Sequence, residues 1–97
     1  MKVEVLYMGK PEGYIDYPSD FNSEEDAEKC WDLCNWSCWA EEKPTELHSD
    51  LSFVSHGVCF RTPNGTNYLA LSVGFLVGDD KKIADYINEN KERIIWR

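Results

Sequence analysis

Apolar and polar residues alternate from Lys2 to Met8, and β formers dominate the run, which predicts a first strand. Gly9, Pro11, Gly13 and Pro18 then break the alternation, so residues 9–22 read as loop. The loop is unusual, because Tyr14, Ile15, Tyr17 and Phe21 are large and apolar and must pack onto something. At Ser23 the spacing becomes helical. Ser23-Glu24-Glu25-Asp26 approximates a capping box with Asp in place of the usual Glu or Gln, and its acids sit where the helix dipole favours them. Pro44 disfavours helical backbone at Lys43, so this helix is expected to reach about Glu42.

Residues 51–61 and 67–77 predict two further strands, with Thr62-Pro63-Asn64-Gly65-Thr66 as the hairpin between them. Proline presets the first central position of a type I turn, and Gly65 takes the left-handed bulge position. After Gly78, Asp79 or Asp80 caps a last helix to about Ile95, with Ile83, Tyr86, Ile87 and Ile94 as its apolar stripe.

The order β-α-β-β-α defines an α+β class. The expectation is a small two-layer domain spanning 1–97, a three-stranded, mainly antiparallel sheet with both helices on one face. In the third strand, Leu69, Leu71, Val73, Phe75 and Val77 share one face, which is expected to be the core face. With a three-residue turn, Phe53 opposes Phe75 and Cys59 opposes Leu69, which leaves Val54, Val58 and Phe60 beside Tyr68 and Ala70 on the other face. A two-residue turn would exchange the faces and so move His56. In either register both faces are apolar, and the second needs a cover. The aromatic loop 14–21 and a homodimer partner are the candidates.

Residues 30–39, CWDLCNWSCW, hold three cysteines and three tryptophans. Projected on a helix, Ala27, Cys30, Trp31, Cys34 and Cys38 form one stripe about 100° wide, suited to face the sheet. Buried there, cysteine is a small hydrophobe that lets a helix approach closely. Trp36 projects nearly opposite that stripe and Trp39 to one side, next to Glu24, Glu25, Glu28 and Asp32.

Charge sharpens this picture. The net charge is −8, but twelve acids stand against only Lys29 and Lys43 between Glu12 and Asp50, so that segment carries −10 and the remainder +2. An acidic front repels nucleic acid and anionic membranes and attracts basic partners. No apolar run approaches the roughly 18 residues of a membrane span. The charged start Met1-Lys2-Val3-Glu4 does not suit a secretory leader. A cytoplasmic location with cysteines 30, 34, 38 and 59 as free thiols is therefore expected.

Three chemistries compete with interaction. Zinc needs four ligands converging at about 2.0–2.3 Å. Cys30 and Cys38 would lie about 12 Å apart on an intact helix, so a site would have to join two of Cys30, Cys34 and Cys38 to Cys59 or to a histidine, His56 or His48. A nucleophilic thiol needs positive surroundings, and this segment is acidic. Cys59 with His56 is the one dyad in print, yet three residues apart on a strand the two point oppositely. The string His48-Ser49-Asp50 and the pair Glu41 and Glu42 offer no convergent geometry.

The sequence thus predicts a small acidic protein–protein interaction module without cofactor or catalytic residues. It is expected to bind a basic protein through Trp36, Trp39, Glu24, Glu25, Glu28 and Asp32. Where that basic surface is a nucleic-acid-binding groove, the protein would inhibit by mimicking nucleic-acid charge, without binding nucleic acid or membrane itself. In make-up it resembles inhibitors that phages and mobile elements direct against host defence, which would act in the host cytoplasm. That likeness is one of composition. A zinc module on Cys30, Cys34, Cys59 and His56 is the alternative, and a small thiol enzyme the second.

Overall fold

The chain builds one open antiparallel sheet with a helix against each face, in a computed structural model that describes residues 1–51 and 56–95. The elements are β1 (Lys2–Tyr7), β2 (Lys10–Asp16), α1 (Glu24–Cys34), β3 (Leu47–Ser49), β4 (Val58–Arg61), β5 (Asn67–Ala70), β6 (Phe75–Gly78) and α2 (Asp80–Ile95). A 3₁₀ turn, Trp36–Cys38, follows α1. Among the described residues six strands pair in the order β3-β2-β1-β4-β5-β6, every neighbour antiparallel. The α+β class agrees with the sequence expectation; the three-stranded sheet does not.

The extra strands arise in three places. Residues 10–16, expected as loop, form β2, because the Met8-Gly9 turn has positive φ at both residues and folds the chain straight back on β1. Pro11 costs the sheet little, since the register shifts between Val5 and Leu6 opposite it. Gly13 is required by contact: a Cβ there would collide with the His48 carbonyl oxygen across the β2–β3 ladder. Leu47–Ser49 is β3, a short edge strand. The apolar run 67–77 is two strands, turning at Leu71–Gly74, where the Leu71 amide donates to the Gly74 carbonyl at 3.0 Å.

Of the two turns the sequence allows, the 62–66 hairpin has the three-residue one. Thr62 N–H donates to the Thr66 carbonyl at 2.9 Å, Gly65 has φ +88°, and Cys59 opposes Leu69. Asn64 serves this turn, its Oδ1 accepting the Thr66 amide at 3.1 Å. The predicted pairing of Phe53 with Phe75 and the placement of Val54 fall outside the described residues; Phe75 itself pairs with Ala70.

Strand alternation then sorts the core. Val3, Val5, Ile15, Leu47, Val58, Phe60, Tyr68 and Ala70 form one buried face, packed with Ala27, Cys30 and Cys34 of α1. Leu6, Cys59 and Leu69 form the opposite face under Ile83 and Ile87 of α2. Each fully buried aliphatic or aromatic side chain contributes about 1.5–3 kcal/mol. The helices therefore lie on opposite faces, not on one. The second apolar face is covered by α2, with no need of the aromatic loop. Ile15, Tyr17 and Phe21 pack on the α1 side instead, with the Phe21 ring 4.9 Å from Tyr68.

Polar contacts fix the start of α2. The Asp79 carboxylate accepts the Lys82 amide at 2.9 Å as an N-cap. Asn67 Nδ2 donates to Asp80 at 2.7 Å, and Arg61 reaches Asp80 at 3.4 Å while gripping Glu4 through two nitrogens at 3.2 and 2.8 Å. Val73, read as core, is 89% exposed at the tip of the β5–β6 turn.

Candidate interaction surface

Helix α1 separates an apolar inside from an acidic outside. Ala27, Cys30 and Cys34 are fully buried at helical spacing, as the stripe predicted. Glu24, Glu25, Glu28 and Asp32 face solvent. Glu24, Glu28 and Asp32 succeed one another at four-residue steps, a ridge rising about 6 Å per step. Among the described residues none of these four carboxylates has a hydrogen-bond or ion-pair partner.

One acid of the helix is different in kind. Asp26 is buried, and its carboxylate accepts from Tyr17 Oη at 2.6 Å, the Asn22 amide at 3.0 Å, the Ser23 amide at 3.2 Å and Ser23 Oγ at 3.1 Å. This is the capping box with Asp26 in the third helical position. The Tyr17 hydrogen bond, first, and those from Asn22 and Ser23 hold the Asp26 carboxyl below the usual carboxylate range, against the cost of its burial. Burial and the Asp26 charge push the Tyr17 phenol up. Asp26 is thus an internal structural anion that ties the 17–23 segment to α1.

The helix ends at Cys34, well before the expected Glu42. Asn35 is buried at the C-terminus, and its Nδ2 bonds back to the Trp31 carbonyl at 3.1 Å, the kind of side-chain competition that stops a helix. The early stop displaces residues 36–39 from their projected positions. Trp36, expected on the outer side, is half-buried and packs against the α1-side core. Cys38, expected on the inner stripe, is exposed. Trp39 comes back alongside the end of α1, where its indole Nε1 donates to the Asp32 carbonyl at 2.8 Å while the side chain stays 57% exposed.

Two hollows flank Asp32. The first, about 300 Å³, lies between Glu28, Trp31 and Asp32 of α1 and Ala70, Leu71 and Phe75 of the β5–β6 region. The second, about 310 Å³, lies between Lys29, Asp32 and Leu33 and the Tyr17, Trp39 and Glu46 side chains. Of the sequence-predicted binding residues, the structure brings Glu28, Asp32 and Trp39 to these hollows and sets Glu24 and Glu25 along the same helix. Trp36 is on the core side. Sequence reasoning missed Trp31, Leu71 and Phe75 as surface-lining groups. Trp31 sits at the margin of the cysteine stripe, a position from which a large ring reaches past the helix edge.

The structure does not bring Cys59 together with Cys30 and Cys34. Cys30 and Cys34 lie on the α1 side of the sheet and Cys59 on the α2 side, so the sheet itself stands between them. Among the described residues no three His, Cys, Asp or Glu groups cluster closely enough to hold a metal ion. Burial pushes the Cys30, Cys34 and Cys59 thiols up to about 12, so they are protonated near neutral pH. Cys59 Sγ donates to Asn67 Oδ1 at 3.5 Å. His56 lies in the turn before β4, and its Nδ1 is buried without a hydrogen-bond partner among the described residues. In β3, buried Ser49 and exposed His48 point to opposite faces, which separates the His48-Ser49-Asp50 string; His48 stacks on Tyr14 at 4.5 Å instead. Glu41 and Glu42 are exposed.

No protein-family model, no curated protein and no solved structure matches the chain. No helix among the described residues is long and apolar enough to cross a membrane.

Proposed function

We propose that the protein is an acidic interaction module that docks a basic surface of another protein through the outer side of α1 and Trp39, inhibiting or modulating that partner. Asp32 carries the reading. It is an unpaired acid in the last turn of α1, where the helix dipole opposes negative charge by about 0.3–1 kcal/mol. Glu28 stands four residues before it and Glu24 four before that, like-charge pairs that each cost a helix about 0.2–0.5 kcal/mol. Stability alone gives no reason for this arrangement. A basic partner does, since it neutralises the ridge while the exposed Trp39 supplies area to desolvate. Where the partner's basic surface binds nucleic acid, occupancy by α1 competes with the phosphate backbone.

The test compares two charge-matched triple variants for binding to an oligo-lysine peptide. Glu24→Gln/Glu28→Gln/Asp32→Asn removes the ridge; Glu12→Gln/Glu41→Gln/Glu42→Gln removes the same charge elsewhere. The ridge variant should bind at least about tenfold more weakly than the control, and wild-type affinity should fall steeply with salt. Equal loss in both variants would reduce the attraction to net charge and sink the proposal.

A further inference from the structure

The hollow on the β5–β6 side of Asp32 has a composition of its own. It is lined by Glu28, Trp31 and Asp32 of α1 and by Ala70, Leu71, Gly74 and Phe75 of the β5–β6 region, so two acids and two aromatics border one space. Trp31 is half-buried, packed against the α1-side core. Glu28 and Asp32 are about 6 Å apart along the helix, with Trp31 between them in sequence. At about 300 Å³ the hollow is at the small end of the roughly 300–1,000 Å³ of ligand clefts, a size for one side chain rather than a folded segment.

Resting on the docking function proposed above, we infer that this hollow is the specificity pocket of the interface and takes one arginine side chain of the basic partner. A guanidinium is planar, so it lies against the Trp31 ring while its edges donate to the two carboxylates. The arginine stem covers Leu71 and Phe75. A lysine ammonium is a compact, strongly hydrated point charge that satisfies one carboxylate at a time and gives up more hydration to lie against an aromatic side chain. Charge complementarity alone would not separate the two residues; the aromatic wall with paired carboxylates does. The second hollow differs, because Lys29 lines it and opposes a cation there.

The experiment uses the full chain and three short peptides of equal length: all lysine, the same peptide with one central arginine, and the same with citrulline in place of that arginine. Affinities are measured for wild type, for Glu28→Gln/Asp32→Asn, and for Glu24→Gln/Glu25→Gln, which removes equal charge outside the hollow. All four positions are exposed, so both variants are expected to fold. The arginine peptide should bind wild type about tenfold more tightly than the lysine and citrulline peptides, consistent with one bidentate, stacked contact. That preference should collapse to less than about threefold in Glu28→Gln/Asp32→Asn and persist in Glu24→Gln/Glu25→Gln. In wild type the Trp31 indole N–H resonance should shift with the arginine peptide. No preference for arginine, or a preference that Glu28→Gln/Asp32→Asn leaves intact, overturns the pocket while the docking surface stands. Failure of every peptide to bind overturns the docking function and the pocket with it.

Discussion

Trp39 is bound to Asp32 through its indole nitrogen, 2.8 Å from the Asp32 carbonyl oxygen, yet 57% of the side chain remains exposed. The bond adds a second donor to a carbonyl that already accepts the Asn35 amide at 3.1 Å, and it fixes the ring beside Asp32. A large aromatic held in place in solvent loses little freedom when a partner covers it, the condition under which buried area converts efficiently to affinity. Trp39→Ala should therefore change stability by no more than about 1 kcal/mol, the worth of one exposed hydrogen bond. Peptide binding should weaken about tenfold or more, as for a hot-spot aromatic. Urea denaturation and a binding isotherm on the same preparation test both parts.

Trp36 should behave in the opposite way. Its ring packs against the core that contains Val3, Val5, Phe60 and Cys34. Truncation to Ala is expected to destabilise the fold by about 2–3 kcal/mol, below the 3–5 of a fully buried tryptophan. At a concentration where the variant remains folded, its affinity for a basic peptide should stay within about threefold of wild type. A stable Trp36→Ala protein that cannot bind would instead place Trp36 in the interface.

The acidic ridge sets function against stability. Asp32→Asn removes a charge that opposes the helix dipole and repels Glu28, so it should stabilise the fold by about 0.5 kcal/mol. The same substitution should weaken binding to basic peptides. Thermal unfolding with and without peptide measures the two effects together; destabilisation by Asp32→Asn would show that the carboxylate has an internal role.

Asp26 makes the fold sensitive to acid. Its carboxyl is held below its ordinary value, chiefly by the Tyr17 hydroxyl, so the unfolded chain takes up the proton first as pH falls. The stabilisation is complete above the ordinary carboxyl value and is lost as pH drops through the lower folded value. Asp26→Asn should cost about 2 kcal/mol at neutral pH, on the scale of hydrogen bonds to a charged group. It should also flatten the decline in urea midpoint below about pH 4, the ordinary range of an aspartate. An unchanged acid limb would assign that limb to other groups.

Thiol labelling checks the core arrangement. Cys38 is exposed, whereas Cys30, Cys34 and Cys59 are buried with thiols pushed up to about 12. An aromatic disulfide reagent at neutral pH should modify Cys38 quickly and the other three only on unfolding. Rapid reaction of Cys59 would mean that α2 does not cover its face as described.

The sequence was most legible where a local rule acted alone. The Ser23 start of α1 and the buried triplet Ala27, Cys30 and Cys34 each come from one such rule, capping or helical period, whereas the hairpin register stayed open between two turn lengths until the fold placed Cys59 opposite Leu69. It was least legible where both faces of the sheet are apolar. Alternation through 67–77 then survives a change of direction, so Leu69 and Phe75 look like one face although they lie on opposite ones. Strand β2 was hidden because Pro11 and Gly13 signal a loop, while in the fold Pro11 faces a register shift and Gly13 permits close contact with β3. The candidate surface was half legible. The exposed acids of α1 could be read from spacing, but the inward turn of Trp36 and the outward turn of Cys38 depended on where Asn35 stops the helix.

The footprint of a basic peptide on the isotopically labelled protein tests the docking surface most directly. Amide shifts are expected to concentrate on residues 24–34 and 70–75, with the Trp39 and Trp31 indole N–H resonances among those that move, while the α2 face around Ile83 and Ile87 stays silent. Shifts spread evenly over all acidic segments, or centred on α2, would contradict a built docking surface on α1.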